Sequence, residues 1–368
     1  MAEARIPHPD LPPPVSIVGP IGWLRRNLFS SPLNILLTLL TLYLLVIAIP
    51  PLLRWTVLNA TWSGDTRDAC QANSGACWVF IRVHFDQFMY GFYPDAQRWR
   101  VDLTVLLLIV SAAPLFIRRV PNQIKLRLAL GILACYPIIA FILLTGGFGL
   151  AVVETSQWGG LLLTLVIAGV GMTAALPLGV LLALGRRSQL PAIQTLCVTF
   201  IEFWRGVPLI TVLFMSSVML PLFLPADMSF DKLLRALIGV SLFQAAYMAE
   251  VVRGGLQAIP KGQFEAAAAL GLGFWKMMGL IVLPQALKLV IPGIVNTFIA
   301  LFKDTSLVLI IGLFDLLNTV HNATTNPAWL GFSTEGYVFA AAVYWLFCFG
   351  MSRYSQSLEK RLHTGHKR

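Results

Sequence analysis

The chain has 368 residues, of which 57% are hydrophobic and 12% charged, against the roughly 25% charged residues of ordinary globular domains. Its mean hydropathy is +0.76, which excludes a soluble enzyme or binding module. A formal charge of +10 would suit a nucleic-acid partner, but no aromatic-basic RNA-binding pattern accompanies it. Cytoplasmic loops of membrane proteins accumulate Lys and Arg, so a topological account replaces that one and no nucleic acid is expected.

Apolar runs of about 17–25 residues recur along the chain, the length that crosses a hydrocarbon core of roughly 30 Å. Lipid offers the backbone no hydrogen-bond partners, so each run closes its bonds internally as a helix. The predicted fold class is an all-α polytopic membrane protein with about eight transmembrane helices.

In chain order, Pro7, Pro9, Pro12, Pro13 and Pro14 exclude a regular helix over residues 1–19, and residues 20–32, with Arg25 and Arg26, lead into the first span. Together, residues 1–32 read as a cytoplasmic tail, with no cleavable signal peptide. Span one covers 33–53. A polar insert, 54–100, sets five Arg against Asp65, Asp68, Asp86 and Asp95 and holds Cys70 and Cys77. Span two, 101–117, is closed by Arg118-Arg119, and span three, 126–144, follows Lys125. A Gly-rich loop with only Glu154 leads to span four, 160–184. That span is punctuated by Gly169, Gly171, Pro177 and Gly179, and small residues let neighbouring helices approach closely. Residues 191–205 place Ile193, Leu196, Phe200 and Phe203 at helical spacing and predict an interfacial helix before span five, 208–224. Spans six, seven and eight are expected at 233–252, 281–302 and 337–349 with its flanks. The apolar stretch 307–317 is too short to cross alone and reads as broken or re-entrant, which is tolerated only under cover of protein or beside a water-filled cavity.

With the N-terminus inside, 18 of the 27 Lys and Arg fall on the inner side and 8 on the outer. That asymmetry predicts both termini, and the loop 253–279, in the cytoplasm. The insert then faces the oxidising compartment, where disulfides persist. A Cys70–Cys77 bridge is expected there, the alternative being two free thiols in a loop. Cys135, Cys197 and Cys348 fall in or beside apolar segments and read as small hydrophobes.

No G-x-x-x-x-G-K-[ST] phosphate loop, H-E-x-x-H or G-x-S-x-G occurs. No Cys/His spacing fits a zinc site, and no His is set beside a nucleophile. The chain is therefore expected to be no enzyme and to bind neither metal, cofactor nor ATP and Mg itself. One stretch remains, between Arg253 and Pro284. Gln263–Leu270 is Ala-rich and a strong helix former, with Glu265 in its first turn, where a carboxylate complements the helix dipole. Gly271 and Gly273 break it, Phe274–Leu280 forms a second apolar piece, and Pro284 opens the next span. A knob with apolar residues and no core of its own to enter reads as a binding surface; the plainer reading is an interfacial connector.

That stretch, with Glu265-Ala266-Ala267, Gly271, Leu283 and Pro284, resembles the EAA loop of ABC importer permeases. Arg205-Gly206-Val207-Pro208-Leu209, the run Ala246–Gly255, Ile259-Pro260-Lys261-Gly262-Gln263 and Lys303-Asp304-Thr305-Ser306-Leu307 are similar to motifs of the same family's polar amino-acid branch. The match covers about 155–360, the five-span core. The three further helices in 33–145 and their insert resemble the longer permease of the general L-amino-acid uptake systems. The resemblance implies an ABC ATPase dimer that carries ATP and Mg, a second related permease subunit, a periplasmic amino-acid-binding protein, and residence in the bacterial inner membrane. It further implies that Glu265, Ala266, Ala267, Gly271, Leu283 and Pro284 dock the ATPase, with Glu250 and Arg253 transmitting its motion. Polar residues within spans point to function, which nominates Gln244, Tyr247, Asn296, Lys303, Asp304, Thr305, Ser306 and Asp315 for a substrate path. The alternative is a stand-alone secondary transporter or channel; ionisable residues clustered at span ends count against it.

Overall fold

A computed structural model describes residues 19–71, 74–117, 119–147, 149–223, 225 and 230–362. The Pro-rich stretch 1–18, Arg118 and Asp227 lie outside them. Among the described residues, seven helices are long and apolar enough to cross a membrane, and an eighth arises if one pair bent by 103° is counted as a single span. Contacts divide the chain into a unit ending at Val79 and a unit beginning at Phe80.

The first unit holds α1 (Gly19–Asn27) and α2 (Pro32–Leu53), the latter running on through a π turn, Arg54–Leu58. Ser31 caps α2, its hydroxyl accepting from Asn34 N at 3.2 Å, and Pro32 occupies the first turn, where its missing N–H costs nothing. No residue of α2 is buried, as suits a helix whose solvent is lipid. Beyond it the chain folds back on itself. Ala76 N donates to Trp55 O at 2.8 Å and Thr61 N to Ala76 O at 2.8 Å. Cys70 and Cys77 are joined in a disulfide with Cα atoms 5.6 Å apart. Beside it Trp78 packs against Trp55 and Trp62, with ring centroids 6.4 and 5.8 Å away.

In the second unit, short helices α3 (Trp78–Val83, which begins just before the division) and α4 (Phe85–Tyr90) precede α5 (Arg98–Phe116) and α6 (Asn122–Thr145). Then come α7 (Gly160–Arg186), α8 (Pro191–Gly206), α9 (Leu209–Phe214), α10 (Lys232–Ala258), α11 (Lys261–Ala269), α12 (Phe274–Met277), α13 (Leu283–Leu289), α14 (Ile291–Asp304), α15 (Leu316–Thr324) and α16 (Ser333–Leu362). The axis of the unit is the parallel pair α7 and α10. Gly171, Ala175, Gly179 and Ala183 recur every fourth residue on the buried side of α7, which lets backbones come close where lipid gives no hydrophobic push. A Cβ on Gly171 would meet Leu301 Cδ2 of α14 at 2.9 Å.

Two apolar clusters lie along this axis. One gathers Leu163, Ile167, Leu213, Val240 and Leu301 with Tyr93, Val101 and Leu144, and so includes the bases of α5 and α6. The other gathers Ala183, Leu184, Ile201, Met248, Val252, Leu256, Met278 and Val282 at the end that carries α11. Near the first, fully buried Arg100 donates through Nη1 and Nη2 to Ala151 O, both at 3.0 Å. Burial pushes the Tyr93 phenol above its usual range, so it stays a donor, and it bonds to Leu144 O at 2.8 Å.

Some boundaries differ from expectation for identifiable reasons. Arg253 does not end the sixth span, because α10 continues to Ala258 and the arginine is satisfied by a carboxylate one turn back. The seventh span is not one helix over 281–302. A π turn over Met278–Val282 leads into α13, and the chain breaks at Val290 (φ −105°, ψ 11°) before α14. Pro292, in the first turn of α14, offers no N–H to continue the α13 ladder. The apolar stretch after Asp304 completes this span as a 3-10 helix, Thr305–Ile311. It turns at Gly312 (φ +71°), a conformation open to glycine, and returns as α15.

Candidate functional site

At the end of the axis that carries α11, the chain leaves the bundle and re-enters it. The Ile259-Pro260 link separates α10 from α11, and α11 closes on a Schellman turn: Gly271 N bonds to Ala268 O at 2.9 Å and Leu272 N to Ala267 O at 3.2 Å. Gly271 takes φ +70° there, which is why glycine ends the helix. Ala267 faces inward and is buried, whereas Glu265 and Ala266 are exposed. Around the turn Leu270, Trp275 and Leu280 are 77%, 72% and 70% exposed. Leu283 is half-buried and Pro284 exposed at the start of α13, whose Gln285 Nε2 donates to Gln263 Oε1 of α11 at 3.1 Å. The result is an ordered apolar protrusion with an acidic residue on it. A cavity of about 420 Å³, lined by Arg187, Leu256, Ile259, Lys261, Phe264 and Glu265 among others, opens beside it.

Behind the protrusion stands a carboxylate with several cations. Arg253 Nε donates to both Glu250 oxygens at 2.7 Å, Arg186 Nη1 reaches Glu250 Oε1 at 3.3 Å, and Arg205 Nη1 lies 4.0 Å away. Arg186 also pairs with Glu202 at 2.9 Å, and Arg205 lies over the Tyr247 ring at 5.8 Å. Sequence reasoning singled out Glu250 and Arg253 and missed Arg186, Arg187, Glu202 and Phe264. The Arg186-Arg187 doublet at a span end was the available signal, and it was spent on topology.

The nominated path residues scatter. Gln244 is buried on α10 and donates to Thr297 O of α14 at 2.7 Å, satisfying a carbonyl between spans. Tyr247 packs on Phe243 at 4.9 Å, and Asn296 is exposed on α14. Lys303 and Asp304 are neighbours on one helix and so diverge; no ion pair joins them among the described residues. Ser306 Oγ donates back to Lys303 O at 3.0 Å. Thr305 and Asp315 meet at Tyr344, whose hydroxyl donates to Asp315 Oδ2 at 2.6 Å and lies 3.4 Å from Thr305 Oγ1. Asp315 is fully buried. It caps α15 by accepting from Leu317 N at 3.3 Å and Asn318 N at 3.1 Å, and the Asn318 amide donates to it as well. Its surroundings are those of a helix cap holding α15 against α16.

Among the described residues, no group of three or more His, Cys, Asp and Glu is disposed to hold a metal ion. Residues 175–364 match the family model described as "Binding-protein-dependent transport system inner membrane component". The chain is 61% identical over 366 residues, 99% of each chain, to the inner membrane amino-acid ABC transporter permease protein YhdY of Escherichia coli K12. It is 41% identical over 425 residues, 97% of this chain and 96% of the other, to the glutamate/glutamine/aspartate/asparagine transport system permease protein BztC of Rhodobacter capsulatus. A solved amino acid ABC transporter with histidines aligns over 55% of this chain and 92% of its own, with 28% identity and a TM-score of 0.49. The apolar spans, the ordered protrusion and full-length identity of this degree put one conclusion beyond the reach of a shared fold alone: the chain belongs to the binding-protein-dependent transport system inner membrane components, among the ABC transporter permeases.

Proposed function

We propose that this chain is the membrane-spanning subunit of an ATP-driven importer that moves L-amino acids, with broad specificity, from periplasm to cytoplasm by alternating access. The observation that carries the reading is the protrusion at Gly271. A helix, a glycine turn and exposed Leu270, Trp275 and Leu280 form an apolar surface left uncovered by the described residues, and such surfaces mark binding sites. Glu265, Ala266, Ala267, Gly271, Leu283 and Pro284 are read as its contact residues for an ABC ATPase dimer. Hydrolysis of ATP with Mg then belongs to that separate subunit, in keeping with a sequence that lacks a phosphate loop. The Lys/Arg asymmetry supports cytoplasmic termini and a cytoplasmic protrusion. A second, related permease subunit and a periplasmic amino-acid-binding protein complete the assembly.

The test is uptake of labelled amino acids by a deletion strain carrying wild type, Glu265→Arg or Gly271→Asp, each competed with single L-amino acids. Co-purification of the ATPase is followed in parallel. Loss of both capture and uptake in the variants supports the reading. Undiminished uptake with no ATPase present would establish the secondary transporter instead.

A further inference from the structure

The last residues of α7 and Arg187, which follows them, divide their contacts among three other elements. Gly185 faces Cys197 of α8 so closely that an added Cβ would overlap the sulfur. Arg186 Nη1 donates to Glu202 Oε1 of α8 at 2.9 Å and to Glu250 Oε1 of α10 at 3.3 Å. Arg187 Nη1 donates to Leu256 O of α10 at 3.1 Å, and its guanidinium lies 5.5 Å from the ring centroid of Phe264 on α11.

We propose that Gly185, Arg186 and Arg187 form the joint through which a displacement of α11 reaches α7 and α8, with Arg187 and Phe264 as its moving contact. The proposal rests on the reading of α11 as the ATPase-docking element. Along the backbone, a push on α11 passes through Ile259-Pro260 into α10, and from there to α7 only by helix packing. Arg187 adds a direct contact between α11 and the end of α7. Phe264 is the neighbour of Glu265, so force delivered at the docking carboxylate arrives at the ring under the guanidinium. A cation over an aromatic face is attracted by the ring quadrupole, and the same guanidinium is fixed by its bond to the Leu256 carbonyl. Arg186 then spreads the motion sideways. Glu250, 15% exposed, would leave a costly uncompensated charge if its cations withdrew, and those cations come from α7, α8 and α10. The ends of the three helices are thereby held as one body.

The experiment uses the full chain co-expressed with its transporter partners in membrane vesicles. Labelled amino-acid uptake, ATP hydrolysis and ATPase co-purification are measured on the same preparation for Arg187→Ala, Phe264→Leu, the double variant and Arg187→Lys. Each single change is expected to lower transport per ATP, about tenfold for Arg187→Ala, while the ATPase is still captured, and the double change to be no worse than Arg187→Ala, since the Phe264 contact is already lost there. Arg187→Lys, which keeps a cation over the ring, is expected to recover transport in part and serves if the alanine variant fails to accumulate. Unchanged transport per ATP, multiplying effects in the double variant, or loss of the ATPase from the Arg187 variants would each overturn the proposal. Glu265→Arg, run alongside, separates the two readings: if it leaves ATPase capture intact, the docking assignment fails whatever the Arg187 variants do.

Discussion

Gly179 of α7 lies so close to Met248 of α10 that a Cβ added to the glycine would stand 2.7 Å from the methionine Cβ and 3.0 Å from Ala249 N. Because the obstructing atoms are a Cβ and a backbone nitrogen, the helices must separate to admit any side chain. Gly179→Ala is expected to destabilise the bundle by about 1–3 kcal/mol, the usual cost of overpacking, and Gly179→Leu to prevent accumulation. Heating detergent-solubilised protein before size-exclusion chromatography reads the difference. Gly169, whose Cβ would meet nothing within 4 Å, is the matched control.

Gly271 presents the opposite case. Space around it is open, but its φ of +70° is left-handed, which costs a residue with a Cβ about 1–2 kcal/mol. Gly271→Ala should therefore lower ATPase capture through backbone strain, and Gly271→Asn, which tolerates this conformation better, should lower it less. Equal loss in both would point to side-chain collision with the partner.

The Cys70–Cys77 bridge closes a short loop, with a sequence separation of 7. For a loop of that size the chain-entropy relation gives about 2.5 kcal/mol. Cys70→Ser with Cys77→Ser is expected to render residues 54–79 sensitive to protease while leaving the helical content by circular dichroism unchanged. Non-reducing peptide mass mapping should find the two cysteines joined; free thiols at both would contradict the structure.

Asp315 accepts from Tyr344, Asn318 and the Leu317 amide in a fully buried position. Asp315→Ala strands those donors, at about 1–3 kcal/mol for each buried group left unsatisfied, whereas Asp315→Asn keeps an accepting oxygen. The alanine variant should melt well below the asparagine variant. A direct role in substrate binding predicts instead that both lose uptake with unchanged melting.

Tyr90 donates to Asp102 at 2.8 Å, and its phenol is pushed up to about 12, first by burial and then by that bond and the Asp102 charge. The folded state thus favours the protonated phenol. The stabilisation it gives is complete below the ordinary tyrosine value and disappears as pH rises through about 12. The stability difference between wild type and Tyr90→Phe should be flat below that window and close across it.

The spans were legible because hydropathy and lipid dictate helices, and Gly271 was legible because glycine after an Ala-rich run has one common use. Two local signals went unread. Asp315 ahead of Leu316-Leu317-Asn318 is an N-cap pattern, and Pro292 marks the break at Val290. The joint at Arg186 and Arg187 was legible only as a basic doublet at a span end. Its partners lie 16, 64 and 69 residues away for Glu202, Glu250 and the Leu256 carbonyl, and nothing local to an Arg-Arg pair says which distant groups it will reach.

The two legs of the protrusion differ in kind. Helix α10 runs unbroken for 27 residues, about 40 Å at 1.5 Å per residue, longer than a hydrocarbon core of roughly 30 Å. On the other side α12, the π turn, α13 and the interruption at Val290 articulate the return into α14. A stiff strut beside a jointed one cannot translate as a pair. A push at the tip would bend the jointed leg before the unbroken one, so the protrusion would tilt toward α13 instead of moving straight inward.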